Sequence, residues 1–204
     1  MSETGQLCIF ARAPEVGQVK TRLAAAVGPE AALAAHRTLV ERCLDSLRDV
    51  AGVKAQLWIA GPVDHPECAD WSSRWGLPLI EQHGDDLGAR MGHAVEQSLQ
   101  SAPFAIVIGT DCPTLDADYV VEAVTALTDH DMVLGPAEDG GYGLIGLRRR
   151  APPLFSDMVW GTPQVASETL ARAKAMALSV RVLDPIWDVD RAEDWRRFLR
   201  RDQS

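Results

Sequence analysis

Phe104-Ala-Ile-Val-Ile-Gly-Thr-Asp-Cys-Pro-Thr-Leu115 opens as an apolar run and stops at Asp111. A run of this kind suits a strand buried on both faces, and the carboxyl end of such a strand is where open α/β sheets bind ligands. Asp111 is therefore a candidate metal ligand. The competing reading makes it a turn cap ahead of Pro113 and Thr114.

Outward from this strand, short apolar runs alternate with helical patterns. Leu7 to Ala11, Leu57 to Ala60, Leu77 to Ile80, Met132 to Gly135 and Val180 to Leu183 read as further strands. Pro29 opens a helix whose Leu33, Val40, Leu44 and Leu47 form a stripe, and Leu87, Met91, Val95 and Leu99 form another. Asp116 is the expected cap of a helix over Ala117 to Leu127, and Arg191 to Arg200 closes the chain as a helix. Strands alternating with helices predict an α/β fold with a mostly parallel sheet. At 204 residues and 47% hydrophobic content, one core is expected, so residues 1–204 read as a single domain.

The balance of 29 acidic to 20 basic residues, a net charge of -9, disfavours nucleic acid as a partner. Cys8, Cys43, Cys68 and Cys112 form no Cys-x-x-Cys pair, which argues against zinc knuckles and redox motifs and fits reduced thiols in a cytoplasm. No run approaches a membrane span, and the amino terminus lacks a basic region followed by a long apolar stretch. A soluble, cytoplasmic protein without membrane contact is expected.

Several segments carry residues suited to phosphate chemistry. The loop from Arg12 leads to Lys20, Thr21 and Arg22, where Lys20 offers a flexible point charge and Arg22 paired donors to phosphate oxygens. Neither a Walker loop nor a Gly-x-Gly-x-x-Gly motif is present, and an exposed helix start would also explain the segment. Arg90 could reach a phosphate, or be solvated. Asp188 and Asp190 share a side of the chain if the backbone there is extended, which suits a second metal contact or a catalytic base; a capping Asp190 is the alternative. Glu138-Asp-Gly-Gly-Tyr142 is either an acceptor or sugar-binding turn, with Asp139 as acceptor of hydroxyls and Gly140 and Gly141 leaving room, or a plain hairpin. Trp160 is a candidate wall of the acceptor pocket, although Thr162-Pro163 beside it also reads as a helix start. The five histidines show no metal spacing and default to the surface or to ordinary hydrogen bonds. A phosphate-bound Mg²⁺ or Mn²⁺ takes one or two protein carboxylates, which matches Asp111 with Asp188 or Asp190.

Taken in order, Phe10-Ala-Arg-Ala-Pro, Gly17, Lys20-Thr-Arg-Leu, Gly84-Asp-Asp-Leu-Gly-Ala-Arg-Met, Ile108-Gly-Thr-Asp-Cys-Pro, Pro136-Ala-Glu-Asp-Gly-Gly-Tyr and Asp188-Val-Asp resemble one bacterial family of GT-A-type glycosyltransferase-like proteins, some labelled selenium-domain-associated transferases. That family looks related to nucleotide-diphospho-sugar transferases, 2-phospholactate guanylyltransferase and molybdenum cofactor guanylyltransferase. The resemblance implies a GT-A-like three-layer sandwich, nucleotide phosphates near Arg12, Lys20 and Arg22, and a metal at Asp111. Many GT-A glycosyltransferases carry Asp-x-Asp at the metal position, whereas Asp111-Cys-Pro is closer to the Asp-x-Pro of nucleotidyltransferases.

The family label puts first a transferase that moves a sugar from a nucleotide-diphospho-sugar to a small-molecule acceptor. Nucleotidyl transfer from an NTP with pyrophosphate release stands close behind, with Asp111, Lys20 and Asp188 as the catalytic set in either case. A non-catalytic nucleotide-binding regulator is the third expectation.

Overall fold

The computed structural model describes residues 4–201. Its centre is β1 (Gly5–Arg12), flanked by β2 (Val53–Ala60) on one side and β4 (Ala105–Gly109) on the other, both parallel to it. β3 (Leu79–Glu81) extends the β2 side. On the β4 side follow β6 (Tyr142–Leu147), β5 (Met132–Pro136) and β7 (Val180–Val182), completing a seven-stranded sheet in the order β3-β2-β1-β4-β6-β5-β7. Only β6 runs against the rest. The chain therefore builds outward from β1 in one direction, then returns to β4 and builds in the other. A crevice opens at the carboxyl ends of β1 and β4, where this reversal occurs.

Alternation along the strands covers the sheet on both faces. Leu7, Ile9, Leu57, Ile59, Ile106 and Ile108 pack into one layer with α2 (Pro29–Leu47), α3 (Pro66–Trp75) and α5 (Ala117–Ala126). Cys8, Phe10, Trp58, Ala105 and Val107 face the other layer, with α4 (Leu87–Ser98) and α6 (Val165–Ala175). The result is the three-layer α/β sandwich that the resemblance implied, and it covers the strand at Phe104 on each side as a run with apolar side chains at every position needs. The remaining helices are α1 (Thr21–Val27), which packs on α2, and α7 (Ala192–Arg201).

Local chemistry accounts for the element boundaries. Pro29 occupies the first turn of α2, the Asp116 side chain accepts from Tyr119 N at 3.1 Å to cap α5, and Asp86 caps α4 by accepting from Ala89 N at 2.7 Å. Two expectations shift. The third strand starts at Leu79 rather than Leu77, because Leu77 folds under the end of α3, donating its amide to Ser72 O and burying its side chain. Leu87 does not join the packed stripe of α4; as the first residue of that helix it is 46% exposed at the mouth of the crevice. Cys8, Cys43, Cys68 and Cys112 are free and buried, and burial pushes the Cys8 and Cys43 thiols up to about 12. No helix among the described residues is long and apolar enough to cross a membrane.

Candidate active site

Four segments converge at the carboxyl edge of the sheet. β1 delivers Arg12 and the loop that ends at Lys20, which adopts a left-handed conformation (φ 49°) just before α1. β4 ends at Gly109 and delivers Asp111. β5 and β6 form a hairpin whose turn carries Asp139, Gly140 and Gly141, as the hairpin reading expected. The segment after β7 is docked by Ile186 N to Pro136 O, Glu138 N to Ile186 O and Val189 N to Asp111 O, each at 2.9 Å. Those three bonds place Asp188 and Asp190 beside residues more than forty positions away in sequence.

Lys20 ties the segments together. Its ammonium meets Asp111 Oδ1 at 2.7 Å and donates to the Val189 carbonyl at 2.6 Å, and its side chain is only 5% exposed against 50% for Asp111. A non-glycine residue in the left-handed region stores strain of order 1–3 kcal/mol, and here that conformation turns the side chain in toward Asp111. His36 lies buried beneath, its Nε2 3.0 Å from the Arg12 carbonyl. A carbonyl only accepts, so the proton sits on Nε2. Burial lowers the His36 pKa, which keeps the ring neutral. The ring is therefore a core support of the β1 end, neither surface-exposed nor charged.

The crevice has two lobes. The larger, about 680 Å³, is lined by Arg12, Lys20, Thr21, Arg90, Asp111 and Asp190 together with Phe10, Gln82 and Asp86. The smaller, about 260 Å³, is lined by Asp111, Asp139, Gly141, Tyr142, Trp160 and Asp188 together with Leu87, Met91 and Val165. Asp111, Phe10, Leu87 and Gly109 belong to both. Asp111 thus stands where the lobes meet. Gly140 lies under the smaller lobe against Pro163, and Tyr142 and Trp160 meet edge-on with centroids 6.3 Å apart.

Arg22 and Asp190 are engaged with each other, Nη1 to Oδ2 at 2.8 Å. This pair spans 168 positions and could not be read from local sequence. It leaves Asp190 facing a guanidinium, while the neighbouring Asp188 remains among carboxylates. Arg90 donates through Nε to Gly84 O at 3.0 Å, which holds the arm along the larger lobe. The sequence reading missed Phe10, Gln82 and His36. Gln82 follows β3 and ties its amide to Trp58 O at 2.9 Å and Ala11 O at 3.2 Å, a bracing role that a lone Gln after a strand does not signal.

The two acidic groups at the junction sit in opposite electrostatic settings. Burial works to raise the Asp111 pKa, but Lys20 outweighs it through its charge and its hydrogen bond, with Arg12 adding to Lys20, and the carboxyl ends below its ordinary value. Asp188 is pushed up to about 6, first by burial and then by Asp139, with Asp111 and Asp190 contributing. An acid whose pKa is higher in the folded state binds its proton more tightly there. Its ionisation therefore costs stability, and the cost grows as pH rises from about 4 through about 6. Asp188→Asn should stabilise the metal-free, ligand-free protein by about 1–2 kcal/mol near pH 8 after allowance for solvent screening, or a few degrees in Tm, and by nothing near pH 4. Thermal melts of both proteins in chelator at the two pH values check this. An equal gain at both, or a loss near pH 8, contradicts the electrostatic account.

Crowded carboxylates with this balance fit a divalent cation. Among the described residues no group of three or more His, Cys, Asp or Glu side chains is spaced to hold an ion. The all-oxygen pair Asp111 and Asp188 suits Mg²⁺ or Mn²⁺, which commonly take one or two carboxylates and complete their shell with phosphate oxygens and water.

A mostly parallel sheet with a two-lobed crevice at its switch point, basic on one side and acidic at the junction, is suited to a phosphorylated ligand. Residues 43–162 match the family described as an uncharacterized protein conserved in bacteria (DUF2064), and the chain belongs to that family. It is 30% identical over 187 residues to 3-phospho-D-glycerate guanylyltransferase of Phenylobacterium zucineum, covering 86% of this chain and 81% of that protein. Phosphoenolpyruvate guanylyltransferase of Chloroflexus aggregans is 25% identical, with 88% and 90% covered. A crystal structure from Desulfovibrio desulfuricans G20, labelled a candidate nucleotide-diphospho-sugar transferase, superposes with a TM-score of 0.90 at 30% identity, covering 100% of this chain and 89% of that one. The protein is a transferase, as expected. The guanylyltransferase relatives favour nucleotidyl transfer over the glycosyl transfer that the family label put first.

Proposed function

We propose that this protein transfers a nucleoside monophosphate from an NTP to a small-molecule acceptor and releases pyrophosphate, with residues 1–204 acting as one catalytic domain. The observation that carries the reading is the Lys20–Asp111 pair at the junction of a basic lobe and a smaller acceptor-sized lobe. In this reading the triphosphate lies along Arg12, Lys20, Thr21 and Arg90, with Arg22 at the rim. The acceptor occupies the lobe of Asp139, Gly141, Tyr142 and Trp160, above Gly140.

An acceptor oxygen attacks the α-phosphorus, the bond from that phosphorus to the β-phosphate bridge breaks, and pyrophosphate leaves. An ionised acceptor phosphate, a group that both 3-phospho-D-glycerate and phosphoenolpyruvate carry, would attack without losing a proton. Where the attacking group is an acceptor hydroxyl, Asp188 would take its proton and Asp111 alone would hold the cation. Little covalent chemistry falls to the protein, so its contribution is positioning and charge stabilisation. Lys20 stabilises charge on the phosphoryl oxygens, and its near-complete burial strengthens that interaction. Mg²⁺ or Mn²⁺, held by Asp111 and Asp188, would supply further charge neutralisation to the triphosphate.

The relatives make GTP the first nucleotide to offer. The expected result is pyrophosphate release from GTP that depends on Mg²⁺ or Mn²⁺ and on a phosphorylated acceptor. Release of nucleoside diphosphate from a nucleotide-diphospho-sugar, with no pyrophosphate from any NTP, would restore the glycosyl reading. Nucleotide binding without either product would identify a regulator.

A further inference from the structure

We infer that Arg22 selects the acceptor: its guanidinium receives a carboxylate carried at the non-reacting end of a phosphorylated small molecule. The inference rests on the nucleotidyl-transfer reading and adds to it the residue that recognises the acceptor.

Lys20 and Thr21 belong to the wall of the larger lobe, but Arg22, the second residue of α1, turns away from it. Its side chain is 61% exposed and reaches Asp190 Oδ2 through Nη1 alone, at 2.8 Å. Among the described residues Asp190 is the one hydrogen-bond acceptor that it meets. The rest of its donor fork is unused, and a fork of this shape matches the two oxygens of a carboxylate. What surrounds the guanidinium fixes its place in the crevice. Its pKa is raised first by the hydrogen bond and charge of Asp190, and then by the charges of Asp139 and Asp188. Asp190 belongs to the wall of the larger lobe, whereas Asp139 and Asp188 belong to that of the smaller. Arg22 therefore stands at the rim between the two openings.

The distribution of charge decides which ligand it serves. Arg12, Lys20 and Arg90 already line the larger lobe, where the triphosphate is placed, whereas no Lys, Arg or His occurs among the described residues that line the smaller. The smaller lobe presents Asp111, Asp139 and Asp188. Lys20 meets Asp111, and a divalent cation on Asp111 and Asp188 would offset those two. That leaves the Arg22 charge to Asp139, Asp190 and an incoming anion. Arg197, beside the β5–β6 turn, is committed elsewhere: it is held by both oxygens of Glu138, at 2.7 and 3.1 Å, and lies over the Trp187 ring. An acidic acceptor thus meets like charge on the wall of its lobe and a guanidinium at the rim. Attraction at one point and repulsion around it orient such a ligand as well as retain it. In this arrangement the reacting phosphate lies at the Asp111 junction and the carboxylate at Arg22.

Calorimetry in Mg²⁺ with two matched pairs of ligands tests this: 3-phosphoglycerate against glycerol 3-phosphate, and phosphoglycolate against ethyl phosphate. The second member of each pair lacks the carboxylate. At least one acid should bind about 10-fold more tightly than its partner, and Arg22→Gln should bring the two within about 2-fold while changing GTP affinity by less than about 3-fold. Arg22→Lys, which keeps the charge without the fork, should retain part of the preference. No preference for either acid in the parent protein, no binding by any of the four, or a preference that survives Arg22→Gln overturns the inference. A loss of GTP affinity as large as the loss for the acid also overturns it, and makes Arg22 a triphosphate ligand. Should Arg22→Gln fail to fold, an undiminished preference in Arg22→Lys has the same force. Pyrophosphate release reads the parent proposal separately. Release from GTP without any acid preference removes the role of Arg22 and leaves nucleotidyl transfer standing, whereas an Arg22-dependent preference without any release does the opposite.

Discussion

Asp111→Asn is expected to lose about 1,000-fold or more in kcat for pyrophosphate release while its Tm stays within about 5 °C of the parent. The activity loss follows from where the side chain stands: at the junction of both lobes, half-exposed, with its pKa held down by Lys20 so that it is charged across the physiological range. An amide matches its shape and still offers an oxygen to Lys20, yet removes the charge that a cation and the Lys20 ammonium both need. The stability term is bounded from two directions. Breaking a buried pair by removing one charge costs about 3–5 kcal/mol, but Asp111 keeps 50% exposure and Lys20 retains the Val189 carbonyl, so about 1–2 kcal/mol is the reasonable figure after screening. Adding Lys20→Met should recover most of that stability, because it removes the stranded ammonium, and should recover no turnover. Steady-state kinetics with calorimetric melts of both variants check the pair of outcomes. Wild-type turnover with unchanged cation dependence in Asp111→Asn would remove Asp111 from the site.

How far the sequence could be read depended on how local each signal was. The run at Phe104 identifies a strand covered on both faces because every position is apolar, and the polar break at Asp111 marks the edge where ligands bind. The stripe on α2 was legible for the same reason: Leu33, Val40, Leu44 and Leu47 recur at helical spacing and all are buried. The same cue hides the direction of β6. Tyr142-Gly-Leu-Ile-Gly-Leu147 is as continuously apolar as a central parallel strand, and only the short turn from β5 betrays that it runs antiparallel. Within the site, Lys20 and Asp111 could be nominated separately, but their 2.7 Å contact depends on a left-handed backbone at Lys20 that no residue type there announces. Asp190 shows the limit from the other side. Its spacing from Asp188 suggested a shared role, and Arg22 claims it through a contact set by docking of the segment after β7 onto Asp111 and Pro136. The residues Asp111-Cys-Pro leaned toward nucleotidyl transfer while the family label leaned toward sugar transfer, and the named relatives side with the residues.

Gly140→Val should lower stability by about 3–4 kcal/mol and raise the acceptor KM far more than the NTP KM. Gly140 sits at φ +89°, and a Cβ added there would lie 2.2 Å from Pro163 O and 2.6 Å from Pro163 Cα. Both obstacles are backbone, so no rotamer change relieves them. A β-branched residue at positive φ costs about 1–2 kcal/mol, and overpacking against a fixed neighbour typically adds 1–3. The turn cannot move alone, because Gly140 N donates to Ala137 O at 3.0 Å and Gly140 O accepts from Ala166 N at 2.9 Å. Relief must come from displacing the chain around Pro163, which carries Trp160 and Thr162 in the wall of the smaller lobe. The larger lobe shares none of that chain, its walls coming from β1 and the loop into α1, His36 of α2, the end of β2, the segment from Gln82 into α4, the Asp111 loop and Asp190. For a chain of 204 residues the destabilisation corresponds to a Tm lower by roughly 10 °C. Kinetics below the melting range separate the two KM values. Equal increases in both would mean that the lobes do not bind separate substrates, whereas a selective rise for the acceptor assigns the β5–β6 turn to it.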